Sequence, residues 1–299
     1  MYNITNPVYN DLLSAKILKK SNKLQIISKV TRDKKIRVLQ DPREQIIFLE
    51  KYITTEKHYS SVARDEKRNN NHIELIVDGK LKRFPLINDE LRRFNQFKKF
   101  IKNKTVLDYG CGFGKFIFLC QKYSKKIFGV ELRELTLKYL KKKKINVKSK
   151  IEDFDFKFDL ITMFHVLEHL PNQIESLKMA NSKLKKGGKI IIEVPHSKDY
   201  LFGFKNLLSF KKFTFYSEHL ILHTEKSLIV FLKKANFRKI KIIYFQRYNF
   251  FNHLKWFNEG KPGGHLDKNY VYRDRIIKHY SDYLCRLKKT DTIIAIAEK

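Results

Sequence analysis

The sequence predicts a doubly wound α/β fold. A mostly parallel, seven-stranded sheet with helices on both faces is expected, with a small N-terminal lobe and a C-terminal insertion. Three observations predict it. From residue 105 onward, apolar segments of strand length alternate with segments of helical apolar spacing, the pattern of a parallel sheet. Strands such as KIIIEV are almost continuously apolar, as strands buried on both faces are. A glycine loop, Gly110-Cys111-Gly112-Phe113-Gly114, joins the first of these strands to the next helix, where bare backbone can approach a ligand closely.

The elements follow in order. IRVLQDP and EQIIFLEKY alternate apolar positions and predict a strand-containing lobe over 1–70, with the polar stretch SVARDEKRNNNH at 61–72 as its junction. LINDELRRFNQFKKFI, about 86–101, predicts a helix with Leu91, Phe94 and Phe97 on one side. The core, 71–248, then runs through TVLDYG (strand), GKFIFLCQKYS (helix), KKIFGVEL (strand), LRELTLKYLKKKK (helix), INVKSKI (strand) and FDLITMF (strand). A helix over about 172–186 carries Ile174, Leu177, Ala180 and Leu184 and is expected to stop at Gly187-Gly188. KIIIEVP is a fifth strand, TEKSLIVFLKKANF a helix and RKIKIIYFQRY a sixth strand. Residues 249–290 read as an insertion over the acceptor side, and DTIIAIAE, closing the core over 291–299, as a last strand at an antiparallel edge.

Composition excludes several classes. Hydrophobic residues at 42% and aromatics at 13% exclude a disordered basic tail. The longest apolar runs are of strand length, so no membrane span of roughly 20 residues is expected, and MYNITNPVYN lacks the pattern of a secretion signal. Three cysteines without CxxC spacing fit a reducing interior, so a cytoplasmic location is expected. The net charge of +32 attracts anions. A Lys-, Ile-, Asn- and Phe-rich composition also follows from an AT-rich genome, so charge alone does not choose a partner.

The chemistry lies at the glycine loop. Lys115 stands where a nicotinamide fingerprint needs its third glycine, and Phe116 stands where a P-loop needs a hydroxyl. What remains is an acid before three spaced glycines. Asp108 at the strand end suits an ammonium. Glu131, closing the second strand, suits two ribose hydroxyls. Glu152 and Asp153, at the end of the third strand, suit an adenine edge. Ammonium, ribose and adenine in that order describe S-adenosylmethionine.

Here the chain resembles the class I S-adenosylmethionine-dependent methyltransferases, through VLDYGCGFGKF, GVE, IEDF, FDLITMFHVLEHL and LKKGGKIIIEVP over roughly 100–245. The resemblance implies the Rossmann-like methyltransferase fold. It implies that Asp108, Gly110, Gly112 and Gly114 line the methionine end of the cofactor, that Glu131 holds the ribose, and that Glu152 and Asp153 flank the adenine. His165 would touch the methionine end. Cys111 is expected only to fill space.

The acceptor needs a base, and His is best tuned near neutral pH. His165, His169, His196 and His253 fall on loops expected at one face of the sheet. His169, His196 and His219 are the candidates, each with a purely structural alternative. His165-x-x-Glu168-His169 is similar to the E-x-x-E-H ligand set of small-RNA 2′-O-methyltransferases and some ubiquinone-pathway O-methyltransferases. His replaces the first Glu, which disfavours magnesium. Zinc could accept two His and a Glu, but no metal is expected. The insertion's RY…NHLxW…GKPGGH pattern resembles methyltransferases associated with bacterial surface-glycan biosynthesis. There Arg247, Lys255 and Lys261 can pair with phosphates, and Trp256 either stacks on a sugar or base or packs in the core. The expected acceptor is therefore a small molecule or glycan, such as a saccharide or nucleotide-sugar hydroxyl. An RNA methyltransferase, motivated by the charge, is a less favoured alternative because no RNA-binding module is visible. A catalytically silent S-adenosylmethionine-binding protein is another.

Overall fold

The computed structural model describes residues 2–53, 89–266 and 273–299. The junction expected at 61–72 and the start of the expected 86–101 helix lie outside the described residues. In chain order the elements are α1 (Pro7–Ser14), β1 (Gln25–Ser28), β2 (Val38–Gln40), β3 (Ile47–Leu49), α2 (Asp89–Ile101), β4 (Thr105–Tyr109), α3 (Lys115–Cys120), β5 (Lys126–Val130), α4 (Glu134–Lys142) and β6 (Asn146–Lys148). There follow β7 (Phe158–Phe164), α5 (Gln173–Ser182), β8 (Leu184–Pro195), α6 (Leu208–Thr214), β9 (Ile221–Leu222), α7 (Glu225–Lys234), β10 (Arg238–Phe245), α8 (Phe250–Glu259), α9 (Arg273–Leu287) and β11 (Thr292–Glu298). Short 3₁₀ turns at Leu167–His169 and Tyr200–Gly203 shape two of the loops.

The large sheet has the strand order β10-β11-β8-β7-β4-β5-β6. The pairs β4–β5, β4–β7 and β5–β6 are parallel. The order reverses beside β4, and such a switch point opens a crevice at the carboxyl ends of the strands. The last strand is not at an edge. β11 lies between β10 and β8, and β10 takes the edge. Burial accounts for this, since β11 is buried at five of its seven positions while β10 is exposed or half-buried throughout.

The chain divides into two compact units. One comprises Thr54–Phe164, Met179–Ile191 and Glu298–Lys299. Its helix α2 begins with Asp89 and Glu90 and ends with Lys98 and Lys99, matching the helix dipole. Phe94, Phe97 and Ile101 are its buried side, whereas Leu91, expected among them, is exposed. Helix α5 stops at Ser182, so Gly187-Gly188 is not its cap but part of β8. The reason is steric: a Cβ at Gly188 would come within 2.9 Å of the Lys185 carbonyl and 3.2 Å of the Phe158 carbonyl.

The other unit comprises Met1–Ile53, His165–Lys178 and Ile192–Ala297. Its small antiparallel sheet has the order β1-β2-β3-β9, with Ile47 opposite Leu222. Asn6 caps α1 by accepting from the Val8 N–H at 3.1 Å, and its amide donates to the Leu49 and Leu220 carbonyls, each at 2.8 Å. Asp11 in turn caps α5 by accepting from the Gln173 N–H at 2.7 Å. Thr224 and Ser227 form the capping box that starts α7. Within the insertion the chain forms α8 and α9, and Asp291 fastens its start by accepting from the Arg247 and Tyr248 N–H groups. Trp256 is 2% exposed, packed edge-on to Phe210, so its place is the core and not a sugar platform.

Candidate functional site

In the unit holding β4, β5 and β7, the strand register fixes the first group. Asp108 of β4 lies opposite Thr162 of β7, whose hydroxyl donates to the Asp108 carboxylate at 2.7 Å. Asp108 is 4% exposed. Burial pushes its carboxyl up to about 7, against the opposing pull of the Thr162 hydrogen bond and the Arg93 guanidinium. A buried acid poised there favours a cation in its vicinity. Directly after β4 the chain turns through Gly110, Gly112 and Gly114, with φ of 74°, 52° and 74°. The left-handed region admits glycine without strain, and at Gly114 an added Cβ would also lie 2.7 Å from Leu140.

Glu131 follows β5 and is buried, but its carboxylate is already occupied. Arg133 grips both oxygens, through Nε at 3.1 Å and its terminal nitrogen at 3.0 Å. A diol would have to share or displace that guanidinium. Glu152 and Asp153 lie exposed in the turn after β6. Cys111 is a packing residue: its Sγ would lie 2.6 Å from a Cβ on Gly129, and burial pushes its thiol well up. An acid at the ends of β4 and of β5, with a left-handed glycine cradle between β4 and α3, fits an amino-acid nucleoside such as S-adenosylmethionine.

The second group lies in the other unit. His165 follows β7 with a φ of 54°, a strained conformation for a non-glycine residue. Its backbone N–H donates to the Glu193 carbonyl at 2.8 Å. Its ring spans two carboxylates, Nδ1 to Glu168 at 3.1 Å and Nε2 to Glu193 at 3.4 Å, and both glutamate side chains are fully buried. Burial alone would lower the His165 pKa, but the bonds to Glu168 and Glu193 outweigh it and hold it above the usual value. Burial opposes ionisation of Glu168 too, yet His165 and the two further histidines hold it down at about 2. The second oxygen of Glu168 has no hydrogen-bond partner among the described residues.

Those further histidines are His169 and His219, packed edge-to-face with centroids 4.8 Å apart. One ligand atom from each of Glu168, His169 and His219 falls within 4.8 Å of the others. Burial depresses both imidazoles, His219 to about 3. Neutral imidazoles beside a carboxylate form a donor set for zinc or a similar transition-metal ion. They are less suited to magnesium. His196 does not join this cluster. It is 1% exposed, its Nδ1 lies 2.9 Å from the Thr290 carbonyl, and burial pushes it down to about 4. His253 is likewise buried in α8, with Nδ1 2.7 Å from the Tyr280 hydroxyl.

Sequence reasoning did not single out Glu193, Thr162 or Arg133. Glu193 left a trace, as the one carboxylate in the apolar run KIIIEVP. Thr162 and Arg133 left none, because their roles depend on strand register and side-chain reach.

A family profile described as a methyltransferase domain matches residues 80–242, just over half of the chain. A ubiquinone biosynthesis O-methyltransferase from Coxiella burnetii is 29% identical over 122 residues, covering 38% of this chain and 52% of that protein. A tRNA U34 carboxymethyltransferase from Campylobacter fetus is 34% identical over 116 residues, 34% of this chain and 40% of that protein. The chain thus spans about half the length, or less, of these curated relatives. Among solved structures, the methyltransferase in a Haloferax volcanii complex with the Trm112 activator superimposes with a TM-score of 0.50 at 10% identity, over 83% of this chain and 99% of that one. A likeness at that identity concerns the fold.

Proposed function

The chain belongs to the methyltransferase-domain family, and on that premise we propose that it transfers the methyl group of S-adenosylmethionine to a hydroxyl of a small-molecule or glycan-linked acceptor. The observation that carries the reading is the buried Asp108 directly before the left-handed glycine turn, at the strand-order reversal. Asp108 would take the cofactor's ammonium, the three glycines its methionine end, Glu131 its ribose hydroxyls, and Glu152 with Asp153 its adenine side. The bound cofactor supplies an electrophilic methyl on a sulfonium sulfur. The protein's own task is to orient the acceptor oxygen in line and to take its proton.

For that proton, His169 is the favoured base. Burial lowers all three candidate imidazoles; in His169 the nearby Glu168 and Glu218 carboxylates oppose that, whereas His196 and His219, at about 4 and about 3, are too weakly basic to serve well near neutral pH. The Coxiella relative is named for methyl transfer to oxygen, which supports a hydroxyl acceptor; the insertion's GKPGGH pattern supports a saccharide or nucleotide sugar. His169→Ala should leave S-adenosylmethionine binding intact and slow turnover by about 10²–10⁴-fold. Mass spectrometry of metabolites and glycans from a deletion strain tests the acceptor, since one class should lose a single methyl. Methyl loss confined to RNA would replace the acceptor with nucleic acid.

A second reading of the same cluster is favoured by the unpartnered Glu168 oxygen between two neutral imidazoles. Glu168, His169 and His219 would then hold a divalent ion that would lower the pKa of the acceptor hydroxyl, as bound metals do for water. Metal analysis of the purified protein separates the two: about one zinc or similar ion per chain, lost in Glu168→Gln, supports the metal centre.

A further inference from the structure

The surface built by the 200–214 and 250–261 segments has a composition that neither the cofactor loop nor the histidine cluster uses. Leu208 is 67% exposed, the most exposed large apolar side chain among the described residues. Phe213, Phe204 and Phe257 are 39%, 36% and 44% exposed. They are not scattered. Phe204 and Phe257 meet edge-to-face at 4.8 Å, and Phe213 packs 5.2 Å from the buried Trp256. The last turn of α8 closes on α6, since a Cβ on Gly260 would lie 3.2 Å from the Ser209 hydroxyl. Single exposed apolar residues need no explanation, but three phenylalanines joined through an aromatic base, with Leu208 at the start of the helix that carries Phe213, do.

The segments that carry these side chains are rich in cations. Segment 200–214 contributes Lys205, Lys211 and Lys212 and no acid; segment 250–261 contributes Lys255 and Lys261. The Arg32 guanidinium lies 4.4 Å over the Phe213 ring. The acids in or beside these segments are engaged, Asp199 by the Leu201 N–H and Glu259 by Lys255 as well as Lys261. Glu259 pairs with Lys261 at 3.0 Å, and Asp33 accepts from the Ser217 N–H and hydroxyl.

Exposed apolar side chains on cation-rich segments discriminate among occupants. A second copy related by a two-fold axis would bring the same lysines face to face, so self-association is opposed. An RNA strand would answer the charge, but it offers nothing for an aliphatic side chain projecting as far as Leu208. An anionic bilayer answers both. Lysine ammonium groups sit at the headgroups while leucine and phenylalanine reach the acyl boundary. We propose that the face formed by Phe204, Leu208, Phe213 and Phe257, with the lysines of the same segments, docks the protein onto anionic membrane surfaces.

Co-sedimentation with vesicles tests this directly. The intact protein should bind vesicles of equal parts phosphatidylcholine and phosphatidylglycerol and leave pure phosphatidylcholine vesicles in solution, with binding that weakens as salt rises. Leu208→Glu, at a position exposed enough to tolerate it, should weaken binding about tenfold or more. Lys211→Gln with Lys212→Gln should weaken it about 25-fold, at about fivefold per basic residue near the surface. Emission from Trp256, the sole tryptophan and one that lies beneath the face, should be unchanged in both variants and so reports an intact fold. Failure of the intact protein to bind phosphatidylglycerol vesicles overturns the proposal. So does undiminished binding by Leu208→Glu, which would assign the attraction to overall charge. A dimer by light scattering, or tight RNA binding, that Leu208→Glu abolishes would assign the face to a different occupant and equally overturn it.

Discussion

Replacing Asp108 by Asn probes the proposed cofactor site at its buried acid. The amide keeps the volume, and its oxygen can still accept from the Thr162 hydroxyl, so the fold should survive. What disappears is a charge. In the native protein that carboxyl ionises at about 7, because burial opposes the charged form. Holding a cationic ammonium therefore requires a proton to leave as the pH falls below 7, and affinity should drop about tenfold per pH unit there. Above about pH 8 the native carboxylate is fully available and a charge-assisted hydrogen bond is worth about 1.5–3 kcal/mol. Asp108→Asn should then bind S-adenosylmethionine about 10- to 150-fold more weakly at that pH. Between about pH 6 and pH 8 its affinity should be flat where the native protein's rises. Isothermal titration at three pH values reads both effects. Native-like affinity in the variant, or an equally steep pH dependence, would refute the assignment of Asp108 to the ammonium.

Three further outcomes follow from the geometry. Gly114→Ala should destabilise the fold by about 1–3 kcal/mol in denaturant titrations, from its left-handed φ and the contact with Leu140, and should weaken cofactor binding alongside. Asn6→Ala removes the α1 cap and two buried donors to carbonyls; its midpoint of urea unfolding should fall by an amount equivalent to about 2–3 kcal/mol. Asp291→Asn deprives three donors of a full carboxylate and should cost about 1–3 kcal/mol, with proteolysis beginning in the 249–290 segment.

Much of the large sheet was legible because its signals are local. VLDYGCGFG announced a strand and a turn through positive φ, and all three glycines adopt it. Leu228, Phe231, Leu232 and Ala235 share the buried side of α7 or its cap, as their spacing requires. Gly187-Gly188 misled because a glycine pair after a helical repeat looks like a stop signal. Its real cause is the close approach of the Lys185 and Phe158 carbonyls, the second of which no local pattern reveals. The position of β11 was misjudged for a similar reason, since strand order depends on competition for burial among strands distant in sequence. In the candidate site, Asp108 and Glu131 stood out as acids at the ends of β4 and β5. The clustering of His219 with Glu168 and His169 did not, because it depends on a contact across fifty residues of chain.

The tethers formed by Asn6 and Asp11 bear on how the chain can be cut. The family profile begins at residue 80, an inviting start for a shortened expression clone. Such a clone would leave β9 without its partner β3 and the first turn of α5 without the carboxylate that accepts from it. Fragments begun there should aggregate or resist crystallisation, and affinity tags are better fused to a chain that keeps its first fifty residues.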